Sequence, residues 1–115
     1  MHFEELQSPN GQALKGPLLM TPQCFGDDRG WFYESWNRRS FDEAVCETVV
    51  FSQDNHSRSI KGVLRGLHYQ LAPEPQAKVV RATVGTIYDV AVDIRRNSPT
   101  YGAWVGAELS AENKR

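Results

Sequence analysis

The sequence has 115 residues, which is enough for one compact domain. Its 13 Lys and Arg nearly balance its 14 Asp and Glu, which excludes bulk electrostatic attraction to nucleic acid or to a membrane surface. A hydrophobic fraction of 40% excludes a disordered tail, and no apolar run approaches the roughly 18 residues of a membrane helix. The N-terminus lacks a signal-peptide pattern, so we predict a cytoplasmic protein, a compartment that favours free thiols over a Cys24–Cys46 disulfide.

Short β-prone segments separated by turn residues predict an all-β fold with seven strands and one short helix. Residues 1–15 are polar and weakly patterned, so we expect a lead-in arm there. The predicted strands cover residues 18–25, 31–36, 48–53, 63–70, 78–84, 86–94 and 100–109. This order indicates an antiparallel β-barrel or jelly roll in one domain, residues 1–115.

The helix is predicted over residues 40–46, with Ser40 as its cap and with Asp42 and Glu43 in its first turn. Pro22 lacks a backbone N–H, which confines the first predicted strand to an edge.

The C-terminal third of the chain predicts a hairpin in which Gly85 joins the strands at 78–84 and 86–94. Residues 110–115 are polar and no closing strand follows them, so we expect a sheet that is incomplete at the C-terminus.

Alternation along residues 86–94 places Asp89 and Asp93 on one face of a strand. Two interpretations are equally compatible with this pattern. The face could be solvated, or it could line a polar interior in which an Asp orients a histidine.

The most suggestive polar group lies around His68. Gln70 shares its face, while Arg65 would point to the opposite side unless Gly66 introduces a bulge. Lys78 could reach the same cavity. Convergence of a His, a Lys and an Arg would suit an anionic substrate and a carbanion-type reaction, whereas the alternative is a set of scattered surface charges.

Other polar candidates have ordinary explanations. Arg29 follows a turn and Glu34 lies in an aromatic strand, and both could be surface residues. A turn alone could explain Gln53, Asp54 and Asn55, because polar residues of this kind are common in turns. No two histidines have metal-ligand spacing, and no basic cluster predicts nucleic-acid binding.

Several motifs in register carry a family resemblance. They are FGDDRG at 25–30, FSQDNHS at 51–57, GVLRGLHYQ at 62–70, DVAVDIR at 89–95 and LSAENKR at 109–115. Together they resemble the dTDP-4-dehydrorhamnose 3,5-epimerase family of dTDP-L-rhamnose synthesis, from about residue 17 onwards. The resemblance implies a cupin-type jelly roll and a homodimer in which the N-terminal strands, residues 18–36, are exchanged.

The resemblance also implies a site without metal or cofactor. In metal-binding cupins, His, His and Glu would occupy the places of His68, Gln70 and Lys78. A lysine ammonium repels a cation, and Gln is a poor substitute for imidazole.

The substrate implied by the resemblance is a dTDP-linked 4-keto-6-deoxy sugar that loses protons from C3 and C5. His68 would be the base, and Lys78 would stabilise the enolate. Arg65 would bind near the sugar and pyrophosphate. The resemblance implies further contacts to the substrate, with Asp89 supporting the interior network. These contacts come from Arg29, Glu34, Gln53, Asp54, Asn55 and Gln70.

The family returns the proton through a Tyr and pairs its catalytic His with an Asp, and no residue of this sequence occupies either place. We therefore expect these 115 residues alone to be an incompetent epimerase. Two alternatives remain: an epimerase acting at C3 or C5 only, as in antibiotic sugar pathways, and a non-catalytic cupin module that binds a sugar nucleotide.

Overall fold

Six strands and one helix make up the secondary structure in the computed structural model, which describes residues 1–115. In chain order they are β1 His2–Gln7, β2 Ala13–Thr21, β3 Cys24–Asp27, β4 Gly30–Tyr33, α1 Arg38–Val45, β5 Thr86–Val92 and β6 Trp104–Ser110. The strands pair as three two-stranded antiparallel sheets, β1–β2, β3–β4 and β5–β6. The predicted all-β class with one short helix is confirmed, although six strands form instead of seven.

The first 15 residues are not the predicted lead-in arm, because they contain β1 and the start of β2. Phe3 and Leu6 are the half-buried apolar residues inside β1. They are three residues apart, so they do not show the period of two that identifies a strand. The β1–β2 register shifts between Glu5 and Gln7, and this irregularity lets an uneven pattern pair with β2.

The predicted strand at 18–25 is two strands that are separated at Pro22 and Gln23. Proline cannot donate to a sheet ladder, so β2 ends at Thr21 and the chain turns into β3. The β3–β4 hairpin closes with Asp27 opposite Gly30. Gly30 has φ of +135°, a conformation that side chains with a Cβ rarely adopt, and this explains a glycine at the turn.

Helix α1 begins two residues before the prediction, and its cap is Asn37 instead of Ser40. The Asn37 side chain accepts a hydrogen bond from the backbone N–H of Ser40 at 3.1 Å. An amide oxygen caps a helix as well as a hydroxyl does, so the sequence offered two good caps three residues apart. Asp42 and Glu43 consequently lie beyond the first turn.

Residues 48–85 contain no strand, and the three strands predicted there are wrong. The Gly85 hairpin is also wrong, because β5 pairs with β6 along its whole length. Gly85 accepts a hydrogen bond from the N–H of Ala111 and so extends the β5–β6 ladder. Leu64 and Val84 in this segment are almost fully exposed, so neither side chain packs against a partner.

A small core joins the β1–β2 and β5–β6 sheets. Leu19, Ala82 and Leu109 form a buried cluster, and Leu6 and Ala107 pack against it. Leu14 and Val105 are the most deeply buried side chains. The core therefore lies beside β5 and β6 and away from residues 48–80.

Cys24 and Cys46 are free, as predicted, and both are exposed. The only helix has eight residues, so the structure contains no helix that could cross a bilayer.

Candidate active site

His68 and Lys78, the candidates for acid–base chemistry, lie in the strand-free segment and are exposed. Gly66 beside His68 has φ of +119°, which only glycine adopts without strain. A Cβ at Gly66 would lie 3.7 Å from Nδ1 of His68, so the turn brings the imidazole back against the Gly66 backbone. The bulge expected at this glycine is absent, because residues 48–85 contain no strand.

Arg65 is held by its own loop. Its Nε donates to Oγ of Ser59 at 2.9 Å, and its Nη2 donates to the carbonyl of Arg58 at 3.2 Å. These bonds leave Nη1 without a protein acceptor. A guanidinium fixed in this way can present its free edge to an anion.

Gln53 and Asn55 are the two candidates that contact each other. Nε2 of Gln53 donates to Oδ1 of Asn55 at 3.0 Å. Asp54 between them and Gln70 further along are exposed. The structure shows no direct hydrogen bond from any of these four residues to His68, Arg65 or Lys78.

Arg29 lies at the tip of the β3–β4 hairpin, with 90% of its side chain exposed. Its Nε and Nη2 bind the carboxylate of Asp27, and the shorter contact is 2.5 Å. This hydrogen-bonded pair lowers the pKa of Asp27 and raises the pKa of Arg29. Beyond β4, Oε2 of Glu34 accepts a hydrogen bond from Nδ2 of Asn37 at 3.1 Å.

Asp89 and Asp93 share a strand face but have different surroundings. Asp89 is exposed opposite Ala107, whereas Asp93 has only 1% of its side chain exposed. Asp89 is therefore solvated, whereas Asp93 is buried in its own turn and makes no contact with a histidine.

Asp93 is the centre of a buried hydrogen-bond network in the turn from β5 to β6. Arg95 donates from Nε and Nη2 to its two oxygens, both at 2.8 Å. Oδ2 also accepts from the hydroxyls of Ser98 at 2.5 Å and Thr100 at 2.6 Å. The bonds from Arg95, and then those from the two hydroxyls, hold the pKa of Asp93 far below its usual value. The prediction that Asp89 supports an interior network missed this arrangement, although Ser98 and Thr100 beyond the strand were a usable signal.

An open cleft of about 650 Å³ lies beside this turn and contains none of the candidate residues. No three His, Cys, Asp or Glu side chains are arranged to hold a metal ion. A metal-free site at His68 stays a prediction.

The sequence model of one protein family, described as dTDP-4-dehydrorhamnose 3,5-epimerase, matches residues 11–115. The chain belongs to this family. The dTDP-4-dehydrorhamnose 3,5-epimerase of Pseudomonas aeruginosa is 61% identical over 103 residues, which cover 90% of this chain and 56% of that protein. The dTDP-4-dehydrorhamnose 3-epimerase of Streptomyces niveus is 38% identical over 103 residues, which cover 90% of this chain and 50% of that protein. The chain thus spans about half the length of the curated relatives it matches.

A solved structure confirms the predicted epimerase-type jelly roll. The crystal structure of dTDP-6-deoxy-D-glucose-3,5-epimerase from Legionella pneumophila, in complex with dTDP-4-keto-L-rhamnose, aligns with a TM-score of 0.83. It is 46% identical, and the alignment covers 97% of this chain and 57% of that chain. The family resemblance drawn from the ordered motifs is likewise confirmed.

Proposed function

We propose that the protein carrying this chain epimerises dTDP-4-keto-6-deoxy-D-glucose at C3 and C5 and forms dTDP-4-dehydro-L-rhamnose. The observation that carries the proposal is the family match over residues 11–115. The Legionella pneumophila relative, whose structure contains dTDP-4-keto-L-rhamnose, supports the choice of sugar nucleotide.

His68 is the proposed base. Both protons to be removed flank the C4 ketone, and an imidazole titrates near neutral pH, where it can accept a proton from carbon. Removal of either proton moves charge onto the ketone oxygen as an enolate. The Lys78 ammonium is the proposed partner of that oxygen, because a fixed cation stabilises charge that develops in the transition state. The Lys78 side chain makes no ion pair in the structure, so its charge is available.

Arg65 is proposed to bind near the sugar and pyrophosphate, and Arg29 is proposed to contact the dTDP part of the substrate. Arg65 and Arg29 are each held through Nε and Nη2, which leaves Nη1 of each guanidinium for a phosphate oxygen. The remaining proposed contacts supply hydrogen bonds to the sugar nucleotide. They are Glu34, Gln53, Asp54, Asn55 and Gln70, with Asp89 as a supporting residue.

Solvent exchange tests the two catalytic assignments separately from full turnover. The substrate is incubated with the protein in heavy water, and deuterium at C3 and C5 is followed by NMR. We expect His68→Ala and Lys78→Ala each to reduce the exchange rate at least about a hundredfold. His56→Ala and Lys61→Ala are matched controls, since both side chains are exposed and neither is a candidate. Exchange retained in both site variants refutes the assignments, and dTDP binding without any exchange supports a non-catalytic module instead.

An epimerase acting at one carbon is the second candidate, because the Streptomyces niveus relative is a 3-epimerase. A single base can serve either carbon, so the same residues suit both functions. Deuterium at C3 alone identifies the 3-epimerase, whereas deuterium at both carbons supports the double epimerase.

A cytoplasmic homodimer without nucleic-acid or membrane partners is part of the proposal. The near-neutral charge balance supports the absence of polyanionic partners. The β3–β4 hairpin exposes Phe25, Trp31 and Phe32, which supports an exchanged N-terminal region that a second subunit would cover. Sedimentation equilibrium that shows only monomer at micromolar concentration would contradict the dimer.

A further inference from the structure

Four aromatic side chains from separate parts of the chain meet around helix α1. The ring of Phe41 lies 4.9 Å from that of Trp36, 5.6 Å from that of Phe51 and 6.4 Å from that of Phe3, centroid to centroid. Trp36 and Phe51 also contact each other edge-on at 5.4 Å. Phe41 contacts each of the other three rings, so its removal would loosen the whole cluster.

A hydrogen bond ties the segment after α1 to the same helix. Oδ1 of Asp42 accepts from the backbone N–H of Val49 at 3.1 Å, and the carbonyl of Asp42 accepts from the N–H of Glu47. The chain after the helix therefore folds back along α1 before it reaches Phe51. Residues 47–51 contain no regular secondary structure, so these contacts replace a sheet ladder in fixing their path.

The N-terminal end of α1 fixes the side chain of Glu34 through a hydrogen bond. The side chain of Asn37 accepts from the N–H of Ser40 and donates to the carboxylate of Glu34. One amide thus caps the helix and orients a carboxylate. Glu34 is two residues before Trp36, and Gln53 is two residues after Phe51, so both candidates lie close along the chain to the aromatic cluster.

We propose that Phe41 and Asp42 are positioning residues that fix the path of residues 47–55 and so place Gln53 and Asn55 for binding of the dTDP group. The inference rests on the proposed function and extends it to residues that touch no substrate. It assigns α1 a role in nucleotide affinity, whereas the proton-transfer residues lie on a different segment. Loss of either positioning residue lets residues 47–55 move, which weakens binding more than it slows chemistry.

The test compares Phe41→Ala, Asp42→Ala and Asp42→Asn in the epimerase that carries these residues. Asparagine keeps an oxygen acceptor for the N–H of Val49 and loses only the charge and the 3.5 Å ion pair with Arg38, so it is the conservative rescue. Glu43→Ala is the matched control, because its side chain is exposed on the same helix and makes no hydrogen bond or ion pair. The measurements are KM, kcat, the Kd of dTDP by calorimetry and the amide exchange rate of Val49.

We expect the two alanine variants at Phe41 and Asp42 to raise KM and the Kd of dTDP about tenfold, with kcat changed less than about threefold. Asp42→Asn and Glu43→Ala should resemble the parent, and Asp42→Ala should accelerate exchange at Val49. Unchanged KM and Kd in both alanine variants would overturn the proposal, as would equal losses for Asp42→Asn and Asp42→Ala.

Two further outcomes concern a Phe41 variant that does not fold and a parent protein that does not bind dTDP. If Phe41→Ala does not fold, the comparison of the Asp42 variants decides the proposal alone. A parent that fails to bind dTDP refutes the proposed function itself, whereas a parent that binds dTDP no better than its variants refutes only the positioning role.

Discussion

Arg95 binds Asp93 through two nitrogens, Nε and Nη2, and the same Nη2 also donates to the carbonyl of Lys15 at 3.0 Å. The pair therefore connects the turn after β5 to β2, 80 residues earlier in the chain. Asp93 has almost no exposed surface, so the connection is shielded from water on the carboxylate side.

Asp93→Asn should destabilise the fold, because the new amide places an NH₂ against the Arg95 guanidinium and loses an acceptor for two hydroxyls. We expect Tm to fall by about 5–10 °C, as for the loss of one or two charge-assisted hydrogen bonds in a domain of this size. Asp89→Asn is the control, since Asp89 is exposed on the same strand. Thermal unfolding by circular dichroism measures both, and equal Tm values for the two variants would contradict the assignment.

Acid should destabilise the protein through the same carboxylate. Hydrogen bonds from Arg95, and then from two hydroxyls, hold the pKa of Asp93 below its value in an unfolded chain, about 3.9. A lowered folded-state pKa means that folding is more favourable when the Asp93 carboxyl is ionised. This contribution is complete above about pH 5 and is lost as the pH falls below about 4.

The measurement is Tm as a function of pH for the parent and for Asp93→Asn. The decrease in Tm between pH 7 and pH 3 should be smaller in the variant, which has no carboxylate to protonate. Parallel curves for the two proteins would show that Asp93 does not control the acid response.

Local signals in the sequence predicted local structure well. The strand predicted at 86–94 is β5, and the predicted helix lies within two residues of α1. Each depends on side chains that are neighbours along the chain. The errors at the helix start and at β1 arose where a second cap or a register shift competed with the simple pattern.

Pairing could not be predicted in the same way, because it depends on residues far apart in sequence. Residues 78–84 have strand-forming side chains, but β5 pairs instead with β6, which begins 12 residues after β5 ends. β-propensity without a paired strand does not stabilise a strand. The same limit applies to the candidate site, where alternation alone put Asp89 and Asp93 on one face but could not tell that only Asp93 is enclosed by its turn.

Gly106→Ala should displace Tyr88. The ring and hydroxyl of Tyr88 occupy the position of a Cβ at Gly106, on the neighbouring strand. Because Tyr88 is 64% exposed, it can rotate into solvent, so we expect a loss of about 1 kcal/mol in the free energy of unfolding. Gly26→Ala is the control, since the nearest atom there is 3.6 Å from the new Cβ.

A double-mutant cycle isolates this contact. In a Tyr88→Ala background, Gly106→Ala should cost less than it does alone, since the obstacle has been removed. Urea unfolding of the four proteins gives the coupling energy, and strict additivity would refute steric displacement.

Leu14→Ala should be among the most damaging apolar truncations in the chain. Leu14 has 1% of its surface exposed, whereas Leu64 has 91% exposed. A truncated buried leucine loses its transfer free energy and leaves a cavity, so we expect Leu14→Ala to cost about 2–4 kcal/mol. Leu64→Ala is the matched control, and it should change the free energy of unfolding by less than about 0.5 kcal/mol. Urea unfolding with an unchanged m-value measures both, and a cost at Leu64 equal to that at Leu14 would show that residues 48–85 pack against a surface that this structure leaves open.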